Sequence, residues 1–255
     1  MVLFQPPSGP ANPWDVGEYR WAELLIWIVA IIGIIWGVLL LFEYINKRKR
    51  HHLVWAASFS LVWIGFHQVI STGTFATLLD PFLSAILAFI PGLLAAGILM
   101  AVFSEKKLLG ELYALFALLV AIGIGMAKFD PFMVLDDLPL FGTSMVMLLH
   151  IPSGLILIIL PLYTTIKKET RWPALFVTIG GILFSLVGAL IAIATTGILD
   201  VIALETGVPA DWALFVLFGL FPIFLVFAYL AFALGTLIPA KWNFDIPGVE
   251  FEERT

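Results

Sequence analysis

The sequence predicts an all-α integral membrane bundle of seven transmembrane helices, with the N-terminus outside and the C-terminus in the cytoplasm. Three observations predict it. The 255 residues are 62% hydrophobic and only 12% charged, where a soluble domain carries roughly 25% charged residues. A chain this apolar, with a mean hydropathy of +1.08, has more greasy surface than a core of its size can bury, so lipid must cover the excess. The charged residues divide the chain into seven long charge-free runs, 24–42, 51–79, 81–104, 112–127, 138–166, 172–199 and 212–240. Most of the Lys and Arg residues fall in every second connection, as the positive-inside rule requires of a polytopic chain.

Residues 1–21 are polar, proline-rich and lack a basic start and a small-residue cleavage site, so they read as an external tail rather than a cleavable signal. The seven-helix domain covers 22–240. A span needs about 20 apolar residues to cross about 30 Å of hydrocarbon. Helices are expected over about 22–42, 53–73, 82–103, 108–127, 141–166, 172–197 and 212–238. The fourth charge-free run is short, and Leu108, Leu109 and Gly110 extend it. Residues 241–255 form a cytoplasmic tail.

Orientation follows from counting. Lys47, Arg48, Lys49 and Arg50 follow helix 1, Lys106 and Lys107 follow helix 3, and Lys167, Lys168 and Arg171 follow helix 5. With Lys241 and Arg254 these make 11 of the 13 basic residues, leaving Arg20 and Lys128 opposite. The opposite connections are acidic, with Asp80, Asp130, Asp136, Asp137, Asp200, Glu205 and Asp211. The Asp130, Asp136 and Asp137 group could bind a hard cation through carboxylate oxygens, but a solvated loop is the commoner use of such residues.

Within the spans, Gly33 and Gly37, and Gly181 and Ser185, are small-xxx-small pairs that let helix backbones approach closely. Packing inside the bundle is the expected use, a dimer seam the rival one. Pro91, Pro152, Pro161 and Pro222 each remove a backbone donor and are expected to kink their helices.

Several functions are argued against. Without cysteine there is no disulfide, thiolate metal site or thiol nucleophile. No basic tract accompanies exposed aromatics in a soluble segment, so nucleic acid is not an expected partner. Helix 7 has no lysine to carry a retinal Schiff base. No acidic or basic residue lies near the midplane, where ion pumps keep their relay. HExxH and GxSxG hydrolase signatures are absent.

Four histidines remain. His51 and His52 close the stretch KRKRHH and are expected to anchor helix 2 among lipid headgroups. His67 and His150 lie inside charge-free runs. At about 1.5 Å per residue, His67 stands about 21 Å above Leu53 and His150 about 24 Å above Ile166. Both reach the outer half of the membrane at nearly one depth, on antiparallel helices. Two imidazoles at one level are what a bis-histidine b-type haem requires, and Gly65 and Gly154 could make room for a porphyrin. A neutral buried histidine bonded to a neighbouring serine, threonine or glutamine is the simpler use of the same residues. Helical rotation, which decides between them, is not fixed by the sequence.

The stretch KRKRHHLVWAASFSLVWIGF resembles a widespread group of uncharacterised prokaryotic multi-helix membrane proteins, in which a basic loop leads into a similar histidine–leucine–x–tryptophan helix. IPSGLILIILPLYTTIKKETRWPALFVTIGGILFSLVGALI is similar to that group too. The resemblance implies a multi-span membrane protein and carries no activity; His67 and His150 match no pattern in it.

Three readings stay open. The first is a non-enzymatic binding, sensing or scaffold component of the cell membrane, whose partners are the bilayer and a partner subunit or a second copy. The others are a b-type haem electron-transfer subunit ligated by His67 and His150, and a carrier for a neutral or lipid-like solute.

Overall fold

The computed structural model describes residues 20–71, 81–128, 141–170, 172–195 and 220–241. Every element among them is helical: α1 (Arg20–Lys47), α2 (Arg50–Ser71), α3 (Pro81–Val102), α4 (Lys107–Lys128), α5 (Phe141–Ile166), α6 (Leu175–Thr195) and α7 (Phe221–Lys241), with short 3-10 turns at Ser104–Lys106 and Trp172–Ala174. Residues 1–19, the acidic connections, Arg171 and the chain after Lys241 lie outside the described residues.

Four helical stretches are long and apolar enough to cross a membrane: Trp21–Lys47, Pro81–Val102, Leu108–Ala127 and Ser144–Ile166. Trp172–Gly188 and Phe221–Leu237 are shorter apolar helices. α2 belongs to neither group, because His51 and His52 at one end and His67 and Gln68 at the other lower its mean hydropathy. Large apolar side chains also face outward, among them Val38, Phe42, Leu119, Met126, Ile151 and Ile159. An apolar exterior this extensive calls for lipid rather than water.

Each helix packs on its neighbour in sequence, α7 closes on α1, and α3 also packs on α5. α3 is the inner element: every residue from Ile90 to Met100 is buried. Its small residues allow this. A Cβ at Gly97 would collide with the indole of Trp55, and one at Gly92 with Ala117 of α4. The backbone of α4 at Gly110 comes so close to α3 that a Cβ there would lie 2.8 Å from the Ala96 carbonyl. Across this seam Trp55 Nε1 donates to the Leu94 carbonyl at 3.3 Å, and Ser58 Oγ to the Ile90 carbonyl at 3.0 Å, next to Pro91.

The glycine pair of α1 is spent inside the bundle, as expected. A Cβ on Gly33 would lie 2.8 Å from both the Phe59 carbonyl and the Trp63 nitrogen of α2, and Gly37 faces Ser60. Gly181 and Ser185 meet α5 at Leu157, Ile158 and Gly154. Close approach of backbones is how helices associate where the surroundings are as apolar as the side chains.

Candidate functional site

The basic connections gather at one end of the bundle, and the structure gives their side chains different tasks. α1 ends with Lys47 Nζ 3.2 Å from Glu43 Oε2, an i,i+4 pair, which carries the helix one turn beyond its apolar run. Arg48 then takes a left-handed φ of 54°. Its N–H donates to the Tyr44 carbonyl at 2.7 Å, and its guanidinium lies 6.0 Å from the Tyr44 ring centre. Lys49 is exposed. Arg50 forms an ion pair with Glu111, tying the start of α2 to the first turns of α4. Lys106 is exposed in the 3-10 turn, and Lys107 opens α4. At the end of α5, Lys167 lies 5.8 Å from the Tyr163 ring centre and Lys168 has a φ of 59°. The Thr164 carbonyl accepts the Glu169 and Thr170 N–H groups there, at 2.9 and 3.2 Å. Both helices therefore stop by a left-handed residue that is basic instead of glycine.

His52 departs from expectation. It is not among headgroups: it is 1% exposed, its ring hydrogen-bonds the Glu43 backbone carbonyl, and Nδ1 is buried without a partner. It sits just before Leu53, where the sequence places the expected start of the second span. Burial, reinforced by Lys47 and Lys49 against the opposing pull of Glu43, lowers its pKa from 6.5 to about 4. The imidazole is therefore neutral at physiological pH. The His51 ring lies 4.3 Å from it, edge on, and 5.0 Å from Trp55. Among the described residues no group of three or more His, Asp or Glu side chains could hold a metal ion.

The other two histidines sit at the far end of the bundle, each against its own aromatic neighbours. His67 is exposed on the outer surface of the α1–α2 pair, its ring centre 5.1 Å from Trp63 and 6.0 Å from Trp27. His150 stacks on Phe184 of α6 at 6.4 Å with the planes 9° apart, and its Nδ1 lies 3.1 Å from the Val146 carbonyl. α3 lies between α2 and α5, packed on both. The interior that a porphyrin would need is filled by aromatic rings running from α2 to α5: Phe66 to Tyr229 at 5.9 Å, Tyr229 to Phe184 at 6.1 Å, Phe184 to His150 at 6.4 Å. Phe66 points in, so His67, about 100° further round the helix, points out. This arrangement gives no support to a b-type haem held by His67 and His150.

Between α3, α5, α6 and α7, at the basic end, Ile98, Pro161, Thr164, Thr170, Val177 and Gly235 line a cavity of about 10 Å³, room for one water at most. Thr164 Oγ1 donates to the Leu160 and Pro161 carbonyls at 3.0 and 3.2 Å, and lies 3.1 Å from Thr170 Oγ1. Nearer the centre, Tyr113 and the fully buried Ser153 share a hydrogen bond of 2.8 Å between α4 and α5. These polar groups serve one another and the backbone, as groups in an apolar medium must. No family model, curated protein or solved structure matches the chain.

Proposed function

We propose that all seven helices cross the cell membrane, with the N-terminus outside and the basic end in the cytoplasm, and that the protein is a non-enzymatic binding or scaffold component. The observation that carries this reading is the packing about α3. Ile90 to Met100 are buried without exception, and the α2–α3 contact is a locked seam of Trp55, Ser58 and Gly97. A bundle built this way presents its outer surface and loops to partners. It is held by backbone contacts at small residues, which resist the rearrangement that alternating access demands. The partner is a second membrane subunit or another copy of the chain.

A carrier for a neutral or lipid-like solute is the second reading, favoured by the small cavity beside the helix-breaking Pro161. Single cysteines separate the two, and the chain has none of its own to confuse the result. Ala95→Cys, Ala117→Cys and Ala233→Cys each place a thiol at a fully buried position. A scaffold leaves all three unmodified by a water-soluble maleimide in intact membranes. Labelling of Ala95→Cys or Ala233→Cys from either side overturns the scaffold and supports the carrier.

A further inference from the structure

We infer that the crevice between α5 and α6, at the end of the bundle away from the basic connections, is a binding site for diacylglycerol, a neutral lipid whose polar end is a single hydroxyl. The inference rests only on α5 and α6 lying in the membrane, whichever reading of the whole protein holds. The two helices are tight at one level and part beyond it. A Cβ on Gly181 would lie 2.9 Å from Ile158 and 3.2 Å from Leu157. One turn further along α6, a Cβ on Gly154 would stand 3.5 Å from Ser185 Oγ, and one on Gly188 would meet no described atom within 4 Å. Ser185 and Gly188 are exposed, although they continue the face of α6 that buries Gly181 against α5. The opening is therefore a wedge, widest at Gly188, with the stacked rings of His150 and Phe184 beside it.

Both polar side chains at the wedge have committed their donors to their own helices. Ser185 Oγ donates to the Gly181 carbonyl at 2.8 Å. His150 Nδ1 lies 3.1 Å from the Val146 carbonyl. A carbonyl only accepts, so Nδ1 carries the proton, and Nε2 at the tip of the neutral ring is an acceptor. The wedge thus offers acceptors in an apolar medium, where a polar group left unpaired is costly, and the complementary ligand brings a donor. α5 and α6 contain no Lys, Arg, Asp or Glu, so a charged headgroup finds no partner here, and a hydroxyl is the donor that a lipid without one carries. The flanks suit two acyl chains. Ile151, Leu155 and Ile159 form an exposed row on α5, and Ile179, Ile182 and Leu186 form one on α6. Both rows run from the wedge toward the middle of the bundle, one for each chain of a lipid whose hydroxyl lies at His150.

The test is native mass spectrometry of the full-length protein released from neutral detergent, with 1,2-dioleoylglycerol and its 3-acetyl ester offered in equal amounts. The two differ only at the hydroxyl. Wild-type protein should retain the alcohol about fivefold over the ester, the worth of one net hydrogen bond; a preference of about twofold or less overturns the proposal without any variant being needed. His150→Phe keeps a ring to stack on Phe184 and removes the acceptor, so it should abolish the preference; an unchanged preference overturns the role given to Nε2. Gly188→Leu places its side chain in open space and should lower retention of the alcohol about tenfold, whereas retention within about twofold of wild type overturns the wedge as the site. Leu119→Ala, on the outward face of α4, should leave retention within about twofold; a larger loss assigns the lipid to the general apolar surface and overturns the site. Cholesterol retained in preference to dioleoylglycerol overturns the choice of a two-chain ligand. These readouts concern binding alone, so they can fail while the scaffold reading and the orientation stand, and the reverse.

Discussion

Gly97→Ala isolates the contact on which the inner position of α3 depends. The added methyl group would overlap Nε1 and Cδ1 of Trp55, whose side chain is fully buried and cannot swing into open space. Overpacking of this kind costs about 1–3 kcal/mol. Moving the indole also breaks its 3.3 Å hydrogen bond to the Leu94 carbonyl, and interhelical bonds in membranes average about 0.6 kcal/mol. Together they predict a loss of about 2–3 kcal/mol, read from reversible unfolding of the detergent-solubilised protein by added dodecyl sulfate. Trp55→Phe, which removes the colliding edge, should be destabilising alone and yet partly relieve Gly97→Ala. The double variant should fall short of the summed losses by about 1 kcal/mol or more. Strict additivity, or Gly97→Ala within about 0.5 kcal/mol of wild type, would refute the seam.

Protonation of His52 is favoured in the unfolded chain, where its pKa is near 6.5, over the folded one, where it is about 4. Stability is therefore intact above pH 6.5 and falls as pH drops toward 4, by about 1.5 kcal/mol between pH 6.5 and 5. His52→Gln, which keeps a donor for the Glu43 carbonyl and cannot titrate, should lack that share of the loss; identical pH profiles in unfolding experiments would contradict it. Lys168→Gly relieves a left-handed φ of 59° and should raise the unfolding free energy by about 0.5–1 kcal/mol, whereas a decrease would mean that the lysine side chain outweighs the backbone. Hemin added to the purified protein should give no Soret band dependent on both His67 and His150. A band abolished by either His67→Ala or His150→Ala would show that the Phe66–Tyr229–Phe184 filling yields to a porphyrin.

Element positions were legible because charge is expensive in hydrocarbon, so charged residues bracket the helices. α1 outruns the expected end at residue 42, and Glu43 and Lys47 pair along the added turn. Rotation, left open by depth, nonetheless has a signal in the periodicity of α2. His52, Trp55, Phe59, Val62 and Phe66 recur at spacings of three and four, the period of one helix face, and all five are buried. That stripe puts His52 inside, where reading KRKRHH as a single basic run placed it among headgroups. The same stripe puts His67 one position beyond Phe66, outside the buried face. Depth alone made His67 and His150 look like partners, because rise along a helix is fixed by residue count while rotation depends on the whole face. The ion pair between Arg50 and Glu111 was not legible at all. It joins residues that are 61 apart, and only the packing of α2, α3 and α4 brings them together.

The seven-span orientation is tested most directly by labelling single cysteines in intact, oriented membranes with an impermeant maleimide. Ser8→Cys, Thr77→Cys, Asp136→Cys and Thr206→Cys should react from outside. Lys49→Cys, Lys106→Cys, Lys168→Cys and Glu253→Cys should react only after the membrane is opened. Labelling from outside at any of the last four, or protection of any of the first four, would contradict the orientation and the count together.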